Sequence, residues 1–169
     1  MALRGRVLCL LAFICGAVGA QASERDDDVY VARVSRVFDG DTLWVKPLAG
    51  GRYRKLRLDG IDAPEICQAG GTVARDALAA RVLDQVVQVS VRRYDDYGRG
   101  LARITHQQED VGGWLVARGV AWSYRWGRSL GPYARQEEAS RKAGRGVVAD
   151  AAAELPRDFR RRHGPCALP

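Results

Sequence analysis

The sequence predicts a fold that is mainly β with α (α+β), a small five-stranded barrel with about three helices packed outside. Three observations support this prediction. Apolar residues make up 47% of the 169 residues, which is enough for a hydrophobic core. Five short segments carry the two-residue alternation or the β-rich composition of strands, and turn signals that include glycine separate them. One segment of helical period interrupts the series after the third strand.

The first three strands follow one another through short turns. They are predicted over residues 29–37, 42–45 and 56–58. The Asp-Gly pair at 39–40 is a turn signal, and the glycine pair at 50–51 turns the chain a second time. Three strands joined in this way form a meander.

Helices and strands alternate in the rest of the chain. The predicted ranges are a helix over 72–83, strands over 87–91 and 101–104, and helices over 111–118 and 132–143. Thr72 is the predicted N-cap of the first helix. The last helix starts with proline in its first turn and stops before a glycine, which is the usual asymmetry of helix ends.

Five short strands with one helix between the third and the fourth form the pattern of an OB-fold barrel. An open mixed sheet is the structural alternative. The folded domain is predicted over 29–147. Residues 148–169 contain prolines and a cluster of arginines, which predict an irregular basic C-terminal tail.

The first 22 residues have the pattern of a signal peptide. Arg4 and Arg6 precede an apolar run over 7–18, and Ala20-Gln21-Ala22 fits a cleavage site. A transmembrane anchor would need about 20 apolar residues. We therefore expect export to the periplasm or the medium, cleavage after Ala22, an acidic lead-in over 23–28, and no stable membrane association afterwards.

Two cysteines remain once the signal peptide is removed. They are Cys67 and Cys166. An even pair in an exported chain is most simply a disulfide, and two free thiols are the alternative.

The composition limits both the partner and the chemistry. The formal net charge of +7 favours an anionic partner such as nucleic acid, lipid headgroup or polysaccharide, although arginine richness can also reflect genome composition and solubility. His106 and His163 are the only histidines in the sequence. A Cys/His zinc site therefore has too few ligands, and hydrolases that need two histidines at the scissile bond are excluded. The chemistry must depend on carboxylates and arginines.

Three short segments carry candidate functional groups. They span 39–42, 57–65 and 97–102, and each alone is an ordinary turn or strand exit. Together they place Asp41 at the start of one strand and Asp62 at the end of another, and strand ends on one rim of a small barrel converge. Two carboxylates without a neighbouring histidine or cysteine form an all-oxygen site, which suits Ca²⁺ or Mg²⁺.

Charged residues near these carboxylates suggest phosphate chemistry. Arg57 lies on the strand that leads to Asp62, and Arg99 begins the fifth strand. Arginine binds phosphate oxygens bidentately and stays charged at working pH. Glu65 follows on a proline-stiffened turn, where it could hold or deprotonate a water. This combination predicts phosphodiester hydrolysis by metal, general base and arginine.

The three segments, in this order and spacing, resemble the staphylococcal nuclease (thermonuclease) family, from about residue 29 to 147. The resemblance implies an OB-fold barrel and a Ca²⁺-dependent endonuclease that cleaves DNA and RNA with little sequence preference and leaves 3′-phosphates. It implies that Asp41 and Asp62 bind Ca²⁺ through their carboxylates and Ala63 through its backbone carbonyl.

The resemblance also implies roles for other residues. Arg57 and Arg99 would bind the scissile phosphate and stabilise its developing charge. Glu65 would be the general base or the group that orients the water. Asp39 would support the metal ligands without binding the ion.

The sequence departs from the family pattern at two places. Ala63 stands where the family's enzymes often have threonine, and a backbone ligand tolerates that change. Asp96, beside Asp95, stands where well-studied members have a lysine, so tight binding of a terminal phosphate is not expected. Tyr97 and Tyr124 remain as candidate substrate-binding residues.

Two other functions are compatible with parts of the sequence. The first is a non-catalytic nucleic-acid-binding or scaffolding module of the same fold, but such copies typically lack the carboxylates or arginines that are present here. The second is an exported basic protein that binds polysaccharide or membrane surface through its arginine tail. Nucleic-acid cleavage that requires Ca²⁺ would exclude the second. We expect a monomer with DNA and/or RNA as substrate.

Overall fold

The computed structural model describes residues 28–164 and residue 166. The predicted signal peptide lies outside the described residues. The predicted acidic lead-in overlaps them only at Asp28, which is the first residue of a strand. Within the described part of the chain, no helix is long and apolar enough to cross a membrane.

The described residues contain eight strands, four α-helices and one short 3-10 helix. The strands are β1 (Asp28–Val37), β2 (Thr42–Pro47), β3 (Arg54–Leu58), β4 (Ile61–Asp62), β5 (Val86–Tyr94), β6 (Gly100–His106), β7 (Glu109–Asp110) and β8 (Trp122–Ser123). The helices are α1 (Gly71–Val82), α2 (Val111–Ala117), α3 (Ala134–Lys142), the 3-10 helix (Val147–Ala149) and α4 (Pro156–His163).

Five of the strands close into a barrel. Their order is β3-β2-β1-β5-β6, with every neighbouring pair antiparallel. β3 also pairs with β6 in parallel, with Leu56 opposite Gly100, so the sheet closes on itself. Closure removes the unpaired edges of the sheet, and the predicted OB-fold barrel is confirmed.

The barrel interior is filled by aliphatic side chains that alternate along the strands. These fully buried residues include Val34, Leu43, Val45, Leu56, Leu58, Val89 and Ile104. Helix α1 contributes Ala74, Leu78 and Val82 to the same core. Each large side chain of this set stabilises the fold by about 1.5–3 kcal/mol through its removal from water.

Helix α1 begins one residue earlier than predicted. Its N-cap is Gly70, which has φ 85°, and no side chain caps the first turn, so the prediction of Thr72 as N-cap is wrong. Gly71 packs directly on the backbone carbonyl of Glu65, where a Cβ atom would collide. The helix therefore starts at a glycine because the chain must approach the Glu65 turn closely.

The C-terminal segment, predicted to be irregular, contains a helix. α4 has Pro156 in its first turn, a position where the missing N–H of proline costs nothing. Asp158 lies near the N-terminus of the helix, and four basic residues occupy its last turn, which suits the helix dipole. The prediction of an irregular tail is therefore wrong over Pro156–His163.

A disulfide connects this segment to the barrel domain. Cys67 and Cys166 are bonded, with their Cα atoms 5.8 Å apart, so the predicted pairing is present. The bond joins the residue three positions beyond the end of α4 to the turn that follows Glu65.

Helix α3 is tied to strand β8 by a buried carboxylate. Glu137 is 4% exposed and accepts a hydrogen bond from the backbone N–H of Ser123 at 2.9 Å. It also pairs with Arg125 at 2.5 Å and Arg141 at 2.8 Å. Because β8 pairs with β4, with Asp62 opposite Trp122, this contact supports the strand that carries Asp62.

We predict that Glu137→Ala lowers the free energy of unfolding by about 2–4 kcal/mol, since it leaves a buried N–H and two guanidiniums without their acceptor. Glu138→Ala is the matched control, because Glu138 is an exposed neighbour that pairs with Lys142 on the same helix. Chemical denaturation of the two variants measures the difference. Equal stability of both variants would contradict the structural role of Glu137.

Candidate active site

The candidate site lies where the turn before β2 meets β3 and β4. Thr42 of β2 lies opposite Arg57 of β3. The backbone N–H of Leu58 donates to the carbonyl of Asp41 at 2.8 Å, so Asp41 is fixed beside the end of β3. β4 follows immediately and carries Asp62. The structure therefore brings the first two of the three predicted segments together at one rim of the barrel. The backbone of the third segment lies beside them, since Leu101 is opposite Arg57.

Asp39 shapes the turn that presents Asp41. Its Oδ1 accepts hydrogen bonds from the backbone N–H groups of Asp41 at 2.9 Å and Thr42 at 2.6 Å. Burial and the neighbouring Asp41 carboxylate raise the pKa of Asp39 to about 7. Asp39 thus supports the turn that presents Asp41 through backbone contacts.

Arg57 joins the two carboxylates predicted to bind metal. Asp41 is 3% exposed and Asp62 is 5% exposed. The Nη2 atom of Arg57 lies 2.8 Å from Oδ2 of Asp41 and 2.9 Å from Oδ1 of Asp62. Burial raises the pKa of Asp62 above its usual value, and the negative charge of Asp41 acts in the same direction. The two carboxylates therefore converge on one cationic atom.

Ala63 lies next to this pair and is buried. Its backbone N–H points at Oδ2 of Asp41, with a donor–acceptor distance of 3.4 Å. Ala63 is therefore packed within the group of predicted metal ligands.

Glu65 is held in a turn with Gln68. The backbone N–H of Glu65 donates to Oε1 of Gln68 at 3.1 Å, and the backbone N–H of Gln68 donates to the Glu65 carbonyl at 2.8 Å. Gln68 also donates through Nε2 to the carbonyl of Glu154 at 2.7 Å. These bonds restrict the backbone from which the Glu65 carboxylate extends.

An arginine that the sequence analysis did not assign to the site contacts Glu65 and Asp62. Nη1 of Arg160 lies 2.7 Å from Oε1 of Glu65 and 3.1 Å from Oδ1 of Asp62. Nη2 lies 3.3 Å from Oδ2 of Asp62. The arginine cluster near the C-terminus was visible in the sequence, but only the register of α4 distinguishes Arg160 from the exposed Arg161.

Arg99 lies apart from these ion pairs. It directly precedes β6, and its Nε donates to Oδ2 of Asp95 at 2.7 Å. Burial of Asp95 is outweighed by these hydrogen bonds from Arg99, which lower the pKa of Asp95. Tyr97, a candidate substrate-binding residue, is 85% exposed, and the Arg99 guanidinium lies 5.4 Å from the centroid of its ring. Arg99 and Tyr97 thus lie together in the turn between β5 and β6.

Tyr124 directly follows β8, the strand that pairs with β4. Its backbone N–H donates to the carbonyl of Gly60 at 2.8 Å. Its side chain is partly exposed and lines a small depression together with Asp62 and Pro156. This position leaves the ring accessible beside the carboxylates.

The donor atoms fit a hard divalent cation with a partial protein shell. Among residues 28–164 and 166, no group of three or more His, Cys, Asp or Glu side chains is arranged to hold a metal by itself. Asp41 and Asp62 nevertheless converge on one point, and all of their donors are oxygens. Hard cations such as Ca²⁺ accept carboxylate, carbonyl and water oxygens in one shell. Asp41, Asp62 and the Ala63 carbonyl would supply the protein ligands of this coordination shell.

Comparison with known proteins agrees with the fold. Residues 55–148 match the family described as staphylococcal nuclease homologue. The chain is 36% identical over 140 residues to a protein of Shigella flexneri named Micrococcal nuclease, an alignment that covers 76% of this chain and 79% of that protein. It is 32% identical over 130 residues to a protein of Haemophilus influenzae named Uncharacterized endonuclease, covering 77% of this chain and 72% of that protein.

A closed barrel whose rim carries buried carboxylates bridged by an arginine defines the class of this protein as an OB-fold protein with a candidate active site. The family match specifies which one. The chain belongs to the staphylococcal nuclease family.

Proposed function

We propose that the protein is an exported, Ca²⁺-dependent endonuclease that hydrolyses DNA and/or RNA with little sequence preference and leaves 3′-phosphate ends. The observation that carries this proposal is the contact of Arg57 with both buried carboxylates, Asp41 and Asp62, in a member of a nuclease family. A non-catalytic module would not need this set to be complete.

In the proposed reaction, Asp41, Asp62 and the Ala63 carbonyl hold the cation. The bound cation supplies positive charge that polarises a phosphate oxygen. Arg57 and Arg99 bind phosphate oxygens and stabilise the charge that develops on them. Arg57 is already at the carboxylates, whereas Arg99 must turn from Asp95 towards the substrate.

Glu65 acts as the general base in the proposed reaction. It accepts a proton from a water whose oxygen forms a bond to phosphorus, while the bond between phosphorus and the 5′ oxygen breaks. The leaving 5′ oxygen takes up a proton from solvent water, and the phosphate remains bonded to the 3′ oxygen. The Gln68 contacts hold the Glu65 backbone in place for this step.

Two exposed aromatic residues are placed to contact the bases or sugars of the substrate. Tyr97 and Tyr124 both offer ring surface to solvent. Stacking on such rings is tolerant of sequence, which suits little base preference. Asp95 and Asp96 place negative charge beside Tyr97, so we propose that a terminal phosphate is not bound tightly there.

Export is supported by the disulfide. A bond between Cys67 and Cys166 is stable in an oxidising compartment and uncommon in the cytosol. Together with the pattern of residues 1–22, it favours release into the periplasm or the medium.

The proposal is tested by incubating the protein, cleaved after Ala22, with single- and double-stranded DNA and RNA. We expect cleavage in Ca²⁺, little in Mg²⁺, and none with chelator, because Mg²⁺ demands an octahedral shell that two carboxylates and a carbonyl do not preorganise. Glu65→Gln is the control for the active site. Full activity in Mg²⁺ with Ca²⁺ chelated would overturn the Ca²⁺ assignment, and binding without cleavage in any metal would favour the binding module.

A further inference from the structure

The guanidinium of Arg160 contacts the carboxylate oxygens through which Asp62 would bind a cation. Both oxygens of Asp62 contact its guanidinium, at 3.1 Å and 3.3 Å, and Oε1 of Glu65 contacts it at 2.7 Å. A guanidinium is a permanent positive charge. A divalent cation at Asp62 would therefore lie within a few ångströms of a like charge, and at this range the repulsion is not screened by salt.

The position of Arg160 is fixed from both ends of its helix. Before α4, the carbonyl of Glu154 accepts from Gln68. Beyond α4, Cys166 is bonded to Cys67. Gln68 and Cys67 belong to the same turn as Glu65, so the helix is attached on both sides to the segment that carries the carboxylate.

This helix lies beyond the residues that match the family model. The match covers residues 55–148, and α4 spans Pro156–His163. Two other arginines of α4 form ion pairs away from Asp62 and Glu65. Arg162 pairs with Glu154, and Arg161 pairs with Asp158 within the helix while its side chain stays 78% exposed.

We propose that Arg160 sets the cation affinity of the site by competing with the divalent cation for Asp62. In the absence of the cation it neutralises Asp62 and Glu65, and cation binding requires it to withdraw from Asp62. The disulfide and Gln68 keep α4 close, so the arginine returns when the cation leaves. This inference rests on the proposed cation site at Asp41 and Asp62.

Calorimetric titration of Ca²⁺ into the disulfide-bonded protein, without substrate, tests the proposal. Arg160→Gln removes the competing charge and should tighten Ca²⁺ binding about ten-fold or more, given the cost of juxtaposed like charges. Arg161→Gln removes the same charge from the same helix without touching the carboxylates, and its Ca²⁺ affinity should stay near that of the wild type. Asp62→Asn removes a proposed ligand and weakens binding by itself, so the informative comparison is Asp62→Asn with and without Arg160→Gln. In this background Arg160→Gln should give a smaller gain in Ca²⁺ affinity than it gives in the wild type, which locates the competition at Asp62.

A second measurement covers the case in which Arg160→Gln folds poorly. Thermal unfolding in chelator should show a lower melting temperature for Arg160→Gln than for wild type, since two carboxylates lose a partner, and Ca²⁺ should raise it more than it raises that of wild type. Arg160→Lys keeps the positive charge but has one nitrogen in place of the two guanidinium nitrogens that contact the carboxylates. Its affinity for Ca²⁺ should lie between those of wild type and the glutamine variant.

Different results separate the two proposals. Equal Ca²⁺ affinities for Arg160→Gln and Arg161→Gln, or weaker binding by Arg160→Gln, would overturn the competition. Tighter binding without nucleic-acid cleavage would support the competition and contradict the hydrolase. If neither wild type nor any variant binds Ca²⁺, the cation site fails and the competition fails with it.

Discussion

Replacing Arg57 by lysine should lower the rate of nucleic-acid cleavage by a factor that corresponds to about 2–4 kcal/mol of transition-state stabilisation. Arg57 contacts Asp41 and Asp62 through one nitrogen, Nη2, which leaves other donors of the guanidinium for a phosphate. Lysine keeps the charge but has one nitrogen on a flexible stem. It cannot bridge both carboxylates and hold phosphate oxygens with the same geometry.

The control for this variant is Arg54→Lys on the same strand. Arg54 pairs with Asp28 in a solvent-exposed position away from the carboxylates. Initial rates at saturating Ca²⁺, with circular dichroism to verify folding, compare the two variants. A rate for Arg57→Lys close to that of Arg54→Lys would show that Arg57 is not the phosphate-binding group. Arg99→Lys should lower the rate in the same way, and it tests whether Arg99 leaves Asp95 during the reaction.

The barrel and the carboxylate rim could be predicted because their signals are local. The alternation of residues 29–37 and the turn before Asp41 determine which side chains face inward and where the strand starts. Asp62 then follows within a few residues of the strand that pairs with β2. Short spacings of this kind leave little freedom for the chain, so the convergence of Asp41 and Asp62 follows from the meander.

The contact of Arg160 could not be predicted in the same way. It joins residues 95 and 98 positions apart, and its existence depends on the register of α4 and on the disulfide. Four arginines lie in the segment, and no local pattern distinguishes the one that is directed at Glu65. The proline at residue 156 is compatible with an irregular chain and with a helix start, and only the packed structure decides between them.

The start of helix α1 was mispredicted for a similar reason. Thr72 is a good N-cap by type, but the chain at Gly71 packs against the Glu65 carbonyl. The capping preference of threonine is worth about 1 kcal/mol, which is less than the cost of a collision in the packed turn. Tertiary packing next to the site therefore decided where the helix starts.

Removing the disulfide should lower the stability of the protein substantially. The bond closes a span of 99 residues, and the chain-closure estimate for a loop of this length is about 4.7 kcal/mol. Because α4 and its flanks can detach before the barrel unfolds, we expect a loss of about 2–4 kcal/mol for the double variant Cys67→Ser, Cys166→Ser. Thermal and chemical denaturation of this variant, beside the oxidised wild type, measure the loss.

The same variant should also be a slower nuclease when Ca²⁺ is saturating. Saturation removes any gain in cation affinity that follows from freeing Arg160, so the remaining effect comes from the turn that carries Glu65. Without the bond at Cys67, the Gln68 contacts still hold that turn, but Arg160 then contacts Glu65 from a helix that has lost its C-terminal tether, so Glu65 samples more positions. Wild type treated with reductant is the matched comparison. Unchanged melting temperature and unchanged rate in both samples would show that the bridge neither stabilises the fold nor positions Glu65.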